Sequence, residues 1–239
     1  MVIKVLSLNI ERNKHISRVM NLLEKEKADV ICLQEIQEPD FEMFKEKFGV
    51  QGFFVPMITF PRKENDKERM VRQGIAYYTT LPLLKKEFQF YVGSGTAPKQ
   101  KFPNDADRVL VLGLVEKEGK EYKLAMTHFT WAGGGGVNEE QQRDVRELVT
   151  FLEQHGELVL CGDFNAPRGG EIFEHLNKNF KDNIPPDIQT TLDPNLHKAG
   201  PLPYVVDYLW STPKYSVQKI KIVDGVSDHM AIVAEIEKL

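Results

Sequence analysis

The chain of 239 residues lacks several features that would place it outside the ordinary globular classes. It has only 2 cysteines, Cys32 and Cys161, each inside an apolar run, which is typical of buried free thiols and argues against a disulfide. No apolar run approaches the ~20 residues of a membrane span. No charged and apolar leader precedes the first strand-like segment, so no secretion signal is expected. These absences favour a cytoplasmic protein with no membrane span.

An excess of positive charge is also absent. Lys and Arg number 31 against 35 Asp and Glu, which gives a formal net charge of −4. Proteins that depend on non-specific DNA binding are usually basic, so tight binding to long duplexes is disfavoured as a main activity. A bound divalent cation or a local basic patch can reverse the field at one site. Nucleic acid therefore remains open as a substrate.

A mixed series of strand-like and helix-like segments is present. Ile16, Val19, Met20 and Leu23 follow the spacing of a helix with one buried face. Asn138 begins a second helix, and a shorter one is predicted over 41–48. The length suits one α/β domain over residues 1–239. Strands are predicted over 2–8, 29–33, 74–80, 108–116, 122–128, 158–161, 205–210, 217–223 and 231–236, and loops over 61–73, 93–107, 132–138, 166–170 and 193–204.

Uncommon polar side chains stand where these apolar strands begin or end. Any one of them alone is more often a turn former or a cap. Together they offer carboxylate, amide and imidazole groups that form one polar site if the sheet edges converge. Carboxylates suit Mg²⁺, a histidine beside a carboxylate suits proton transfer, and amides hold a phosphate without adding negative charge. The residues are Asn9, Glu35, His128, Asp163, Asn165, Asp207, Asp228 and His229.

The motifs LSLN, LQE, THF, GDFNAPRG, VDYLW and SDHMAI follow one another between Leu6 and Ile232. In this order they resemble the endonuclease/exonuclease/phosphatase superfamily, which is also called DNase I-like. The resemblance implies a four-layer α/β sandwich, in which two packed mixed β-sheets are flanked by helices and the site lies at the strand ends. It also implies a metal-dependent hydrolase of phosphate ester bonds that uses Mg²⁺, with Mn²⁺ as a substitute.

The resemblance further implies roles for single residues near the metal. Glu35 matches the main Mg²⁺ ligand of the family, and Asn9 matches the asparagine near the metal and the phosphate. Asp228 matches a carboxylate close to the metal. Glu11 stands where many members have an aspartate near the metal. These four residues are the predicted metal site.

The same resemblance implies the catalytic residues. Asp163 matches the residue that orients or deprotonates the attacking water, and Asn165 matches the one that holds the phosphate in the transition state. His229 matches the histidine at the scissile phosphate, and Asp207 matches its orienting partner. His128 matches the second histidine of the DNase I and sphingomyelinase branches.

Two further residues are predicted to bind substrate. Arg108 opens an apolar strand, where a charge at the rim can face the site. Trp131 adjoins the glycines at 133–136 and can stack on a base, insert into a lipid interface or simply anchor its loop. The first choice is a nuclease or phosphodiesterase acting on DNA ends or short single strands. A phospholipid or sugar-phosphate hydrolase and a catalytically silent binding module are the alternatives, and no obligate protein partner is implied.

Overall fold

Alternating apolar residues build two sheets in the computed structural model, which describes residues 1–48, 50–64, 67–102 and 104–239. Among these residues, none of the helices is long and apolar enough to span a membrane. The elements in chain order are β1 (Val2–Asn9), α1 (Ile16–Glu26), β2 (Val30–Gln37), α2 (Glu38–Phe48), β3 (Gln51–Glu64), β4 (Lys67–Thr79), β5 (Leu83–Val92), β6 (Arg108–Lys117), β7 (Lys120–His128), α3 (Glu139–Glu153), β8 (Val159–Asp163), α4 (Glu171–Asn177), β9 (Lys181–Asp182), β10 (Asp207–Ser211), β11 (Tyr215–Val223) and β12 (Ala231–Lys238).

Both sheets have six strands and mixed direction. The first runs in the order β11-β12-β1-β2-β4-β3 and the second in the order β5-β6-β7-β8-β10-β9. Within the first sheet β1 and β2 are parallel, and within the second β7 and β8 are parallel. Parallel neighbours end at the same edge of a sheet. Each sheet therefore presents two carboxyl ends side by side.

The alternation along β1 explains the layers. Ile3 and Val5 point into the core between the sheets, whereas Leu6 and Leu8 pack with the buried faces of α1 and α2 on the other side. Helices α3 and α4 bury apolar side chains against the second sheet. Each fully buried aliphatic side chain contributes about 1.5–3 kcal/mol relative to leaving it in water. The order helix, sheet, sheet, helix confirms the predicted four-layer sandwich.

The predicted helices are present and extend by a few residues. Helix α1 continues to Glu26, and Lys27 ends it in the left-handed conformation with φ 47°. The Asn138 side chain accepts a 2.9 Å hydrogen bond from the backbone N–H of Gln141, which confirms it as the cap of α3. Helix α2 begins three residues earlier than predicted, at Glu38.

The prediction of a loop over 61–73 is wrong. Most of this stretch belongs to the long antiparallel pair of β3 and β4, in which Arg62 lies opposite Arg69, and residues 65–66 lie outside the described residues. The ends of the two strands near their connection are polar, so the sequence shows no apolar alternation there. Backbone pairing holds this part of the hairpin together. Strands β5 and β9 and helix α4 were not predicted either, and β5 is an edge strand with mostly exposed side chains.

The two cysteines are free and buried, as predicted. Cys32 on β2 and Cys161 on β8 meet between the two sheets. Their mutual hydrogen bond, together with burial, raises the pKa of the Cys32 thiol well above its usual range. Both thiols therefore act as small core side chains.

Candidate active site

Three strands of the second sheet bring their polar ends to one carboxylate. His128 at the end of β7 and Asp207 at the start of β10 are both register partners of Asp163 at the end of β8. Directly paired residues on neighbouring strands share a face of the sheet. The His128 Nε2 atom lies 3.4 Å from the nearer carboxylate oxygen of Asp163. Asp163 is thus the centre of the site, and it is almost completely buried.

The first sheet contributes from across the core. The Asn9 amide donates to Asp163 Oδ2 at 3.0 Å and to Glu35 Oε1 at 3.4 Å, so it joins the two sheets. A bulge between Leu33 and Ile36 interrupts the pairing of β2, and Glu35 within it has φ 59°. Bulges re-aim side chains. Strict alternation after the inward-facing Cys32 would turn Glu35 outward, and the bulge instead sends its carboxylate toward Asn9.

His229 is held as a cation between two carboxylates. Its Nδ1 lies 2.9 Å from Asp207 Oδ2, and its Nε2 lies 3.7 Å from Asp163 Oδ2. Burial alone would lower the pKa of His229, but Asp207 and Asp163 outweigh burial and raise it well above its usual value. The hydroxyl oxygen of Thr191 accepts the backbone N–H of Asp207 at 3.1 Å, which fixes the start of β10. A charged imidazole fixed in this way can bind an anionic oxygen.

His128 has the opposite protonation state. Burial, the nearby Arg108 guanidinium and the charge of His229 together lower the pKa of His128 well below its usual value. The ring is therefore neutral at pH 7, and its 3.4 Å approach to Asp163 is a contact between a neutral ring and a carboxyl group rather than an ion pair. One residue type thus supplies both a fixed cation and a neutral partner in one site.

The pKa of the Asp163 carboxyl group is raised into the neutral range. Burial raises its pKa to about 7 with the help of Asp207, although His229 acts in the other direction. The backbone N–H of Asn165 donates to Asp163 Oδ1 at 2.8 Å. Asn165 adopts a left-handed backbone with φ 49°, and its side-chain amide donates to the Phe129 carbonyl at 3.0 Å. A base that titrates near neutral pH is well matched to taking a proton from water.

The predicted metal ligands form an oxygen-rich corner beside this centre. Burial and the charge of Asp228 raise the pKa of Glu35. Burial also raises the pKa of Asp228, with a contribution from Glu11 and against the effect of His229. Carboxylates that lie close together gain from a divalent cation, and carboxylate oxygens are ligands that Mg²⁺ prefers. Asn9 turns its N–H group toward Glu35, and its Oδ1 accepts the backbone N–H of Glu11 at 3.1 Å. The residues therefore fit a divalent metal.

Glu11 is turned toward other partners. Its carboxylate binds Lys14 and contacts His15 Nε2 at 3.0 Å, and these partners lower its pKa against the effect of burial. It would have to exchange them to reach a metal.

A different group of possible ligands also lies close together. Asp163, Asp207 and His229 each place a potential ligand atom within 4.8 Å of the others. The raised pKa of His229 means that its ring carries a proton on both nitrogens, and the Nδ1 proton faces Asp207. The imidazolium thus already occupies the position between the two carboxyl groups that a cation would take. This group is better described as a hydrogen-bonded network than as a metal site.

Two clefts flank the central carboxylate. The first, of about 240 Å³, is lined by Glu35, Arg108 and His128 together with Arg12 and Gln73. The Arg108 guanidinium is buried and donates from Nη1 to the His128 carbonyl at 3.2 Å, and burial lowers its pKa. Arg108, which the sequence predicted as a substrate-binding residue, therefore lines the first cleft.

The second cleft, of about 350 Å³, lies on the side of His229 and Asn165. Trp131, with 48% of its surface exposed, forms one wall, and Tyr204 forms another. The glycines between them have positive φ angles, and a Cβ at Gly135 would lie 2.9 Å from the Tyr204 ring. The close approach of the aromatic ring explains the need for glycine at this position.

The structure thus brings nearly all of the predicted residues together. Seven of them meet at one end of the sandwich, and two more lie at the edges of this group. The seven are Asn9, Glu35, Asp228, Asp163, Asp207, His128 and His229, and the two at the edges are Asn165 and Arg108. Sequence reasoning missed Arg12, Gln73 and Tyr204. Arg12 follows Glu11 in the loop after β1. Its position close behind the predicted site residues Asn9 and Glu11 was the one sequence feature that could have identified it.

The family model described as Endonuclease/Exonuclease/phosphatase family matches residues 6–229, and the chain belongs to this family. Its members hydrolyse phosphate esters. Among curated proteins, Nocturnin of Mus musculus is 23% identical over 201 residues, which cover 76% of this chain and 45% of Nocturnin. The chain thus spans about half the length of the curated relatives that it matches.

Solved structures share the fold at low sequence identity. The human Nocturnin catalytic domain with bound sulfate has a TM-score of 0.75 at 18% identity, covering 100% of this chain and 94% of that one. A mannosyl-6-phosphatase of Bacteroides thetaiotaomicron VPI-5482 has a TM-score of 0.74 at 14% identity, covering 98% and 99%. D. rerio TDP2, complexed with a single-strand DNA product, has a TM-score of 0.71 at 14% identity, covering 99% of both chains.

Proposed function

We propose that this protein is a Mg²⁺-dependent phosphodiesterase, with residues 1–239 as one catalytic domain, that acts on DNA ends or short single strands. The observation that carries the proposal is the buried Asp163, whose pKa is raised to about 7 between a charged His229 and a neutral His128. A base, a fixed cation and a neutral hydrogen-bonding ring around one space are the groups that phosphoester hydrolysis needs.

The proposed reaction is in-line attack by water on phosphorus. Asp163 takes one proton from the water as the oxygen–phosphorus bond forms, and the bond to the leaving oxygen breaks on the opposite side. His229, held by Asp207, and Asn165 bind the non-bridging oxygens, where negative charge grows in the transition state. His128 donates a hydrogen bond to the leaving oxygen, because its neutral ring carries one N–H.

Glu35 and Asp228, with Asn9 beside them, would hold the divalent ion. The raised pKa values of both carboxyl groups support this assignment, since a cation favours their charged forms. Glu11 would join them only after leaving Lys14 and His15. A bound Mg²⁺ supplies charge stabilisation for the phosphate and the leaving oxygen, and Mn²⁺ with its similar oxygen preference can replace it.

The second cleft, which Trp131 and Tyr204 line, supports a nucleotide-containing substrate. Trp131 and Tyr204 line a space of about 350 Å³ beside Asn165 and His229, and this volume is sufficient for one base. Stacking on aromatic side chains tolerates any base and suits single strands, consistent with a net charge of −4 that disfavours long duplexes. The DNA product bound to D. rerio TDP2 is consistent with this choice of substrate.

A sugar phosphate is the second candidate. The mannosyl-6-phosphatase neighbour acts on one, and the small 240 Å³ cleft would accept a single sugar. A phospholipid requires an apolar entry, for which the exposed Trp131 at the second cleft gives some support. A silent binding module is disfavoured, because a copy without activity has no need to preserve the raised pKa of Asp163.

The test is hydrolysis of a substrate panel with Mg²⁺ and with EDTA. The panel holds single- and double-stranded DNA, RNA, a 5′-phosphotyrosyl oligonucleotide, mannose 6-phosphate, sphingomyelin and bis-p-nitrophenyl phosphate. Asp163→Asn is the inactive variant, and Asp182→Asn is the matched control, since Asp182 pairs with Arg168 outside the site. Mg²⁺-dependent cleavage of single-stranded DNA or the phosphotyrosyl probe, lost only in Asp163→Asn, supports the proposal. Cleavage restricted to the sugar phosphate or the lipid contradicts the choice of substrate.

A further inference from the structure

A buried carboxylate with no role in the proposed reaction binds the connection between β11 and β12, which carries Asp228. The side chain of Asp193, of which only 1% of the surface is exposed, accepts three backbone hydrogen bonds. Its Oδ2 accepts the N–H of Gly225 at 2.6 Å. Its Oδ1 accepts the N–H groups of Asn195 at 2.9 Å and Leu196 at 3.0 Å. Hydrogen bonds to a charged acceptor are roughly twice as strong as neutral ones, so these bonds hold their donors firmly.

The backbone of the same segment pairs with the residues around Asp228. The Asp193 N–H donates to the Asp228 carbonyl at 2.8 Å, and the Met230 N–H donates to the Thr191 carbonyl at 2.7 Å. Between these two bonds the chains form an isolated antiparallel bridge. Asp193 therefore holds the connection between β11 and β12 with both its backbone and its side chain.

Asp193 also begins the loop that forms one wall of the second cleft. Its carbonyl accepts the N–H of His197 at 2.9 Å, so the start of the loop is closed by backbone as well as side-chain bonds. His197 lines the second cleft together with His229. One buried residue thus joins a cleft wall to the chain segment that carries a proposed metal ligand.

The connection around Gly225 has little other support. Gly225 has a left-handed backbone with φ 69°, and a Cβ there would meet no atom within 4 Å, so packing does not fix this position. The exposed Arg18 side chain donates to its carbonyl at 2.8 Å. The Asp228 carboxylate itself accepts from the neighbouring Ser227 hydroxyl at 3.1 Å, which moves with the same backbone. The buried anchor of this backbone is Asp193.

We propose that Asp193 is a positioning residue for the metal site, which acts through the connection between β11 and β12 to place the Asp228 carboxylate. The inference rests on the proposed function, because that function assigns Asp228 to the divalent ion. Partners that orient a metal ligand typically account for an about 10- to 100-fold difference in metal affinity. Asp193 has this effect without touching the ion or the substrate.

The test is calorimetric titration of the protein with Mg²⁺ in the absence of substrate. Asp193→Asn keeps the shape of the side chain but replaces one acceptor oxygen with an NH₂ group, which cannot accept a backbone N–H. The affinity for Mg²⁺ is expected to fall about 10- to 100-fold. Asp193→Ser keeps an acceptor for the N–H groups at 195 and 196 and loses the bond to Gly225, so it provides the same measurement if Asp193→Asn does not fold.

Two controls separate this role from a loss of charge and from a general loosening of the fold. Asp224→Asn removes the same charge from an exposed side chain next to Gly225. Asp182→Asn alters another carboxylate that accepts a loop N–H, that of Ile184 at 2.9 Å, outside the site. Both controls are expected to keep the Mg²⁺ affinity of the unmodified protein.

A folded Asp193 variant that binds Mg²⁺ as tightly as the unmodified protein overturns the proposal. An equal loss of affinity in Asp224→Asn or Asp182→Asn overturns it as well, and absence of Mg²⁺ binding in the unmodified protein overturns it together with the metal assignment. The hydrolysis panel distinguishes these results from failure of the proposed function. If Asp193→Asn weakens Mg²⁺ binding but the unmodified protein cleaves none of the nucleic-acid substrates, the proposed choice of substrate fails while the role of Asp193 stands.

Discussion

Replacing Asp207 with asparagine tests the arrangement that keeps His229 charged. Asp207 is buried, and its carboxylate lies 2.9 Å from His229 Nδ1. A hydrogen bond to a charged group contributes about 1.5–3 kcal/mol, which corresponds to about a 10- to 150-fold loss of kcat/KM if the contact matters fully in the transition state. Asparagine has nearly the same shape as aspartate, so the change removes charge without leaving a cavity.

The pH dependence separates this role from a purely structural one. The pKa of His229 is raised in the folded protein, so its charge stabilises the fold fully below the unfolded pKa, and this contribution is lost as the pH rises through the raised value. In Asp207→Asn the folded pKa is raised less, so the pH-dependent loss of stability should be smaller and should be complete at a lower pH. Urea unfolding in EDTA between pH 6 and 9 measures stability, and NMR of the His229 ring measures its pKa.

Activity and titration should therefore change together. The alkaline limb of the kcat/KM profile should move to lower pH in Asp207→Asn and stay in place in Asp182→Asn. An unchanged ring pKa in Asp207→Asn, or a loss of activity that is the same at every pH, would refute the reasoning. Either result would mean that Asp207 serves only to complete the packing around Asp163.

Three further changes test other parts of the site. Asp163→Asn should lower kcat by about a thousandfold or more, as for loss of an essential base with its preorganised site, and it should keep or raise Tm above pH 7, because the raised pKa means that the charge of Asp163 destabilises the fold there. Glu35→Gln should abolish most of the rise in Tm that Mg²⁺ causes in the unmodified protein. In the unmodified protein, the rise should become smaller as the pH falls through the raised pKa of Glu35. An equal rise in the variant and in the unmodified protein would exclude Glu35 as a ligand. Gly162→Ala should cost at least about 2 kcal/mol in urea unfolding, because a Cβ would lie 1.9 Å from the Thr127 carbonyl oxygen at φ 137°; a smaller cost would mean that β7 and β8 can separate.

The sequence predicts where strands end better than it predicts the direction of the side chains at those ends. The predicted end of the strand over 122–128 agrees with β7, because an apolar run stops at a polar residue. The inward direction of Glu35 depends on a bulge with a left-handed residue, which ordinary alternation does not predict. Glutamate has no special preference for that conformation. Local propensity therefore does not account for its presence there, which agrees with the proposed role of Glu35 as a metal ligand.

Protonation states were equally beyond the sequence. His128 and His229 each lie within a short motif, THF and SDHMAI, and no residue next to them in the sequence indicates which ring is charged. Burial lowers the pKa of both rings, and charges contributed by other strands decide the outcome: Arg108 lowers the pKa of His128 further, whereas Asp207 and Asp163 raise that of His229. Strand β3 and the first half of β4 were missed, whereas the second half of β4 was predicted as the strand over 74–80. The polar ends of both strands pair through backbone hydrogen bonds that any side chain permits.

Asn9 connects these observations, because it joins the base to the metal corner. Its amide reaches Asp163 on one sheet and Glu35 on the other, so the distance between base and metal depends on how the two sheets pack. The core directly behind it is formed by residues such as Cys32 and Cys161, which meet across the same interface. Protein interiors are packed as densely as crystals and transmit small shifts. The four-layer sandwich is thus more than a support, since the packing between its sheets sets the distance between Asp163, the proposed base, and Glu35, the proposed metal ligand.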